Sequence, residues 1–410
     1  MIKLGQFIYP WGNGHYARMM TLDKVLPNYI KDELEIHYSS KGEVYQKLLQ
    51  KFPEKKHQIH EILMPTPIDG KHGPSVTLSM LNLLLPISGN PPLVKQILDY
   101  LKNEARLYNV QKFDLVINDG DMGSNVLAEK RGISSVFVTN QFRPRLWKSH
   151  FYFYPSLMYI SKQITKATKI IVADSAPPNT ICEYNLNFSD EIKQKVVYAG
   201  HFSNGTIKDP KPKSELEKLL ENTDSFGYWM QTGNKATKEV TDKKYQEAFH
   251  SEEIQSEKRI ISHAQNDPAI DKVKGKDDKT YSISDALDHN IDWIQIDVGF
   301  LSEQEKDTVL TLCKYAVING SHTAMGEVIG LKSKPIIGIP VYDEHANQIK
   351  WAEERRLGVL ANNTKQVIKG VHDILDNYNK YKERLTEFTK NFDRNGTRNT
   401  AKIIAEMLEG

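Results

Sequence analysis

Two cysteines in 410 residues, Cys182 and Cys313, supply neither a disulfide framework nor the paired spacing of a zinc site. Long hydrophobic runs are missing as well: no apolar stretch reaches the roughly 18 residues that a membrane-spanning helix needs. The chain goes straight into an apolar segment, Ile2 to Tyr9, with no charged leader ahead of it, which predicts a cytoplasmic rather than a secreted protein. Charge of one sign is not in excess. Against 52 Asp+Glu stand 54 Lys+Arg, a net +2, which excludes the basic imbalance of a nucleic-acid binder. There are no internal repeats, no Gly-Lys-Ser/Thr ending of a phosphate-binding P-loop, and no cluster of side chains with metal-ligand spacing, so neither metal nor cofactor is expected.

What remains is the composition of a soluble globular chain, 39% hydrophobic and 26% charged, long enough for two or three domains. Apolar runs of strand length alternate with helical patterns, which argues for an α/β class built on parallel sheets. In the first half the strand candidates are Lys3–Tyr9, Leu34–Ser39, Gln58–Leu63, Leu115–Asn118, Ser135–Thr139, Lys169–Ala173 and Val196–Gly200. A stretch rich in Pro, Gly, Lys and Asp, Asn204 to Lys213, reads as a linker. A second set follows: Gly227–Gln231, Arg259–Ser262, Ile291–Ile296, Tyr315–Ile318, Pro335–Ile339 and Gly358–Leu360. The polar insertion Ala264–Asn290 reads as a mobile surface loop. From Thr364 onward the pattern is helical. The expected division is a first Rossmann-like domain over 1–200, a linker over 201–214, a second Rossmann-like domain over 215–395, and a C-terminal helix over 396–410. The two sheets are expected to face each other across a cleft.

The most informative stretch runs from Asn319 to Asn347. It reads as a strand end, a tight turn on Gly320, a helix opening near Ser321, His322 and Thr323 with Glu327 two turns inside, a second buried strand, and another helix start at Asp-Glu-His-Ala-Asn. A helix N-terminus beside a glycine turn binds anions, because unpaired N–H groups and the positive dipole end point at the ligand. An acid further in is placed to accept from a sugar hydroxyl. The pair suits a nucleotide sugar.

The first strand leads into Pro10-Trp11-Gly12-Asn13-Gly14-His15-Tyr16-Ala17-Arg18 and then an amphipathic helix. Gly12, Gly14 and Ala17 formally satisfy a dinucleotide fingerprint, but the end of the second strand reads His37-Tyr38-Ser39-Ser40, without the acid that holds the ribose. Two readings stay open for His15. It caps the helix, or it is a neutral base that takes a proton from an attacking hydroxyl. Asp119 and Asp121 follow the strand Leu115–Asn118, at the carboxyl end where open α/β sheets bind ligands. Asp119 is placed to orient His15 and fix its tautomer, whereas Asp121 suits an N-cap.

Together the two motifs resemble the GT-B glycosyltransferases. Gly-Asn-Gly-His-x-x-Arg is similar to the Gly-x-Gly-His loop of the group containing the bacterial N-acetylglucosaminyltransferase of the lipid-linked peptidoglycan precursor and its archaeal relatives. Asn319–Glu327 with Asp343–Asn347 resembles the donor motif of that superfamily, which includes the UDP-glucuronosyltransferases. Asn118–Asp121 with Ala128–Ile133 resembles the middle of their first domain. The resemblance implies an inverting transfer in which His15 is the base, Glu327 holds the donor ribose, Glu344 and Asn347 touch donor sugar or phosphate, and Gly233 lies in a glycine-rich loop near the phosphates. It implies that the first domain holds the acceptor, with Gly12, Asn13 and Gly14 in its loop, and the second the donor. Three positions depart from the pattern: Ser321 stands for a glycine, Ala324 for Ser or Thr, and Glu344 for glutamine.

Two apolar segments raise a membrane question. Thr77–Ile87 is rich in Leu, and Phe151–Ile160 is aromatic and flanked by Arg143, Arg145, Lys148, Lys162 and Lys166. Both fit core helices, and both fit an anionic membrane interface. The sequence thus predicts an inverting glycosyltransferase using a nucleoside diphosphate sugar, UDP-linked, on an acceptor hydroxyl carried by a polyprenyl-linked or glycolipid substrate at the inner membrane face. The alternatives are a nucleotide-sugar epimerase of the same architecture and a nonenzymatic nucleotide-sugar-binding subunit. No nucleic-acid partner is expected.

Overall fold

The structure is a computed structural model that describes residues 1–410 apart from 11–12, 67, 71–72, 88, 204–210, 222, 224, 234 and 410. The chain divides into two compact units, Met1–Ser203 with Asp393–Gly410, and Asn204–Phe392. Gly12, Asn234 and residues 204–210 of the expected linker lie outside the described residues.

The first unit is built on strands β1 (Ile2–Ile8), β2 (Leu34–Ser40), β3 (Ile59–Glu61), β6 (Leu115–Asp119), β7 (Ser134–Thr139), β8 (Lys169–Val172) and β9 (Val196–Tyr198), with a small hairpin β4 (Asp69–Gly70) and β5 (Gly73–Pro74) beside them. The seven strands pair in the order β3-β2-β1-β6-β7-β8-β9, every pair parallel. Because helices cover both faces, the inner strands carry apolar residues without alternation: Leu115, Val116 and Ile117 are all fully buried. The final helix, Gly396–Glu409, returns to this unit and buries Ala401 and Ile404 against Met19, Leu22 and Leu26. Its first residue, Gly396, has no room for a side chain, since a Cβ would lie 2.1 Å from the Gly200 carbonyl oxygen.

The second unit contains β10 (Gly227–Met230), β11 (Arg259–Ser262), β12 (Lys272–Gly275), β13 (Thr280–Tyr281), β14 (Trp293–Val298), β15 (Tyr315–Ile318), β16 (Ile336–Gly338) and β17 (Gly358–Leu360). Their order is β13-β12-β14-β11-β10-β15-β16-β17. All pairs are parallel except those of the β12–β13 hairpin, which runs antiparallel at the edge. That hairpin corrects the expectation of a loop over Ala264–Asn290. The segment extends the sheet, with Val273 fully buried, and continues into a helix, Ile283–Asp288, N-capped by Ser282. Among the described residues no helix is long and apolar enough to cross a membrane.

In both units the first strand sits beside a strand reached by a later crossover: β1 beside β6, and β10 beside β15. The chain leaves the first strand toward one side of the sheet and returns on the other, so the loops at their carboxyl ends part and leave a crevice. This is where open α/β sheets bind ligands.

Candidate active site

In the first unit the crevice is filled by His15, Arg18 and Asp119. The helix Asn13–Asp23 follows β1, and residues three apart share one helical face, so His15 and Arg18 project together. Asp119 ends β6, paired with Ile8 of β1. Its carboxylate, fully buried, receives a fork from Arg18, with Nε at 2.8 Å from Oδ2 and Nη2 at 2.7 Å from Oδ1. His15 Nδ1 lies 2.5 Å from Oδ1. Burial pushes the Asp119 carboxyl up, but the charges of Arg18 and then His15, with their hydrogen bonds, outweigh it and hold it at about 2. An ionised carboxylate only accepts, so the proton of this contact belongs to His15 Nδ1. Arg18 Nη2, 3.1 Å from the same nitrogen, is then a neighbouring donor and not a second hydrogen bond. The neutral tautomer carries its lone pair on Nε2, on a side chain that keeps 24% of its surface exposed.

The ring is held sterically as well. Tyr9 meets it edge-on at 5.6 Å between centroids. Gly120, at φ +85°, lies so close that a Cβ there would stand 3.1 Å from His15 Cε1 and 2.7 Å from Tyr9 Cβ. Asp121 is the N-cap, accepting from the amides of Gly123 and Ser124. Gly14 belongs to the first turn of the His15 helix, and Asn13 begins it.

In the second unit three loops converge at the carboxyl ends of the neighbouring strands β10, β15 and β16. Thr232 Oγ1 donates to Asn319 Oδ1 at 2.9 Å, and Asn319 Nδ2 donates to the Thr232 carbonyl at 3.1 Å, which ties the Gly233 loop to the Gly320 turn. Asn319 Oδ1 also receives the Ser321 amide at 3.0 Å. The Thr237 and Tyr342 hydroxyls bond to each other, joining the helix after Gly233 to the residue that precedes the Glu344 helix. Gly233 and Gly320 both take positive φ, +93° and +88°. At Gly320 a Cβ would stand 2.6 Å from Ile349 Cδ1 and 2.9 Å from the His345 carbonyl oxygen. Only glycine lets the turn and the helix Asp343–Glu354 approach this closely.

Ser321 precedes the helix His322–Met325, whose first intrahelical bond runs from the Met325 amide to the Ser321 carbonyl. The amides of His322, Thr323 and Ala324 come before that bond and face the N-terminal end. The helix then widens to π geometry over Gly326–Leu331, with the Lys332 amide on the Glu327 carbonyl. Such bulges cluster at functional sites. Glu327 lies in this wide turn. Its Oε1 pairs with Lys306 Nζ at 2.8 Å, and its Oε2, buried, has no hydrogen-bond partner among the described residues. Asn347 is buried and Glu344 half-buried on the first turns of the next helix. Between them His345 is kept neutral by burial, its imidazole pushed down to about 3.

Three residues went without a role in the sequence. Arg18 stood inside the quoted loop, and its three-residue spacing from His15 is the signal that assigns it to the same face. Phe300, two residues past β14, keeps 68% of its surface exposed. It precedes by three residues the helix Glu303–Leu312, whose Lys306 pairs with Glu327. His345 lay inside the second motif but carried no spacing signal of its own.

No protein-family model matches the chain, and no curated protein matches it by sequence. Solved structures do. Over 100% of this chain and 99% of its own, a UDP-glucosyltransferase from Polygonum tinctorium superposes with a TM-score of 0.65 at 13% identity. The UGT2 enzyme of Phytolacca americana, solved with UDP-2-fluoroglucose, gives 0.66 at 13% over 99% and 100%. MurG of Acinetobacter baumannii gives 0.59 at 11% over 99% and 100%. These are GT-B structures, and likeness along the entire chain shows that this protein has the GT-B fold, two Rossmann-like domains, as the sequence predicted.

Proposed function

We propose that this protein is an inverting glycosyltransferase that moves a sugar from a nucleoside diphosphate, UDP, to an acceptor hydroxyl. The observation that carries the reading is the Arg18–Asp119–His15 constellation, in which the buried Asp119 carboxylate holds His15 by Nδ1 and so turns Nε2 away from it, toward an acceptor. In the reaction, Nε2 takes the acceptor proton, the acceptor oxygen bonds to the anomeric carbon, and the bond to the diphosphate breaks, its electron pair leaving with the phosphate. Asp119 stabilises the imidazolium as it forms. The helix start after Gly320, with the amides of His322, Thr323 and Ala324, stabilises the departing diphosphate. Glu327 accepts from the ribose, and Phe300 stacks on the base. Glu344 at a glutamine position repels phosphate, so it accepts from sugar hydroxyls instead.

The acceptor we infer is lipid-linked. Among the described residues the exposed large hydrophobics concentrate in the two apolar segments of the first unit: Leu84 and Leu85 in one, Phe151, Tyr154 and Tyr159 in the other. The segments meet through the Thr77 and Tyr152 hydroxyls, 2.9 Å apart. Exposed aromatics beside Lys148 and Lys162 suit an anionic bilayer surface.

The test is a thermal-shift panel of nucleotide sugars, since a bound ligand raises stability by RT ln(1 + [L]/Kd). A UDP-sugar is expected to shift the wild type, and Glu327→Ala to lose that shift while keeping its fold. An unchanged shift in Glu327→Ala removes the donor assignment.

A further inference from the structure

Behind the Asp119–His15 pair lies a second set of acids that the proposed reaction does not use. Asp121 is 2% exposed, and its Oδ1 accepts from the Gly123 amide at 3.0 Å, the Ser124 amide at 3.5 Å and the Tyr100 hydroxyl. Facing it is Glu104, fully buried on the helix Leu93–Gln111. Among the described residues Glu104 Oε1, Glu104 Oε2 and Asp121 Oδ2 have no hydrogen-bond partner of good geometry; the nearby Tyr100 hydroxyl, which acts on the Glu104 charge as well, is spent on Asp121 Oδ1. The titratable groups around the pair are Tyr100 and Tyr108 from the helix of Glu104 and Tyr9 from the end of β1. Tyr108 bonds to Ser124, and Arg131 spends its guanidinium on the Ala105 carbonyl, the Asn109 side chain and the Tyr108 ring. Among the described residues no cation therefore answers the two acids. Two carboxylates in contact in a dry interior do not both ionise, and the arrangement that satisfies their oxygens is a single proton held in a carboxyl–carboxylate hydrogen bond.

We propose that Glu104 and Asp121 share one proton, and that this bond clamps the Asp119–Gly120–Asp121 turn against His15, making Glu104 a positioning residue. The inference rests on the reading of His15 as the base. Its mechanical link is short. Gly123 has no space for a Cβ, which would lie 2.3 Å from Tyr100 Cε1, so the helix of Glu104 bears directly on the turn. Gly120, next to Asp121, lies so near the His15 ring that a Cβ there would stand 3.1 Å from Cε1. Loss of the proton sets two like charges face to face and moves the turn. Burial first, and then the neighbouring carboxylate, raises the Glu104 carboxyl well above its ordinary value. A raised folded-state value means that the stabilisation is complete below the unfolded carboxyl range and is lost as pH rises through the folded one.

Glu104→Gln keeps an N–H donor toward Asp121 Oδ2 but cannot lose it. The wild type is expected to show a protonated-carboxyl stretch in the infrared at pH 7 that Glu104→Gln lacks. The His15 Cε1–H resonance of the wild type is expected to show an alkaline inflection that disappears in Glu104→Gln. Glu104→Leu, which removes the donor, is expected to displace that resonance at every pH; should it fail to fold, the comparison with Glu104→Gln decides alone. Identical infrared bands or identical alkaline inflections in wild type and Glu104→Gln would overturn the clamp. The base reading fails separately: full transfer by His15→Ala removes it and leaves the infrared band in place.

Discussion

Arg18 and Asp119 illustrate how much one buried pair decides. The Asp119 carboxylate has no exposed surface, and the Arg18 fork with His15 is what keeps it ionised there. Removing one partner of such a pair strands the other charge, so Arg18→Ala is expected to lower stability by about 3–5 kcal/mol in a denaturant titration. Arg18→Lys restores a point charge without the planar fork and recovers only part of that loss. Acid should act through the same carboxyl. Its folded-state value, about 2, lies below the ordinary 3.8, so the native state binds fewer protons than the unfolded chain. The stabilisation is present above about pH 4 and is lost as pH falls toward 2, on the order of 2 kcal/mol. Asp119→Asn should flatten that acid limb of a stability–pH curve; an unchanged slope in the variant would detach the limb from Asp119. Of this residue network the sequence disclosed His15, in the glycine loop after the first strand, and Asp119, just past the apolar run Leu115–Asn118. Arg18 went without a role because its helical spacing places it on the face of His15 but does not say that its guanidinium turns inward to the same carboxylate.

At the scale of elements, the turn between β15 and the next helix depends on Gly320 in two ways, a positive φ and a missing side chain. Gly320→Ala is expected to cost about 2–3 kcal/mol or more and to weaken the nucleotide-induced thermal shift, because Ile349 and the His345 carbonyl must retreat. Gly42 is the control. It also has positive φ, +58°, but open space around it, so Gly42→Ala should cost only about 1 kcal/mol. Equal losses in the two variants would mean that backbone strain alone, and not close approach, sets the requirement. Most elements were legible: the buried parallel strands are short apolar runs bounded by turn residues, and no other element reads that way. The β12–β13 hairpin was not. Lys272–Gly275 contributes a single buried apolar side chain, Val273, and its partner strand is two residues long. Neither is long enough to carry a period, and pairing with β14 rather than local composition makes them strands.

At the scale of the whole molecule, the two units share a topology in which the first strand and its later-formed neighbour frame a crevice, and each crevice holds one of the two motifs. The first holds His15, which we propose as the base, and the second the Gly320 turn with Glu327, which we propose as the seat of the donor phosphates and ribose. Sequence patterns located the two motifs because both are contiguous, whereas identity of 11–13% to the superposed enzymes leaves the sugar and the acceptor to be tested through Glu344, Ala324 and the exposed aromatics of the first unit. The central claim is that His15 carries the transfer as its base. The most direct measurement is the rate of sugar transfer from the UDP-sugar that gives the largest thermal shift, to a lipid-linked acceptor, by wild type and His15→Ala. General-base catalysis contributes roughly 10²–10⁴-fold, so His15→Ala is expected to lose at least a hundredfold in kcat while retaining the donor-induced shift. Undiminished turnover by His15→Ala would contradict the account.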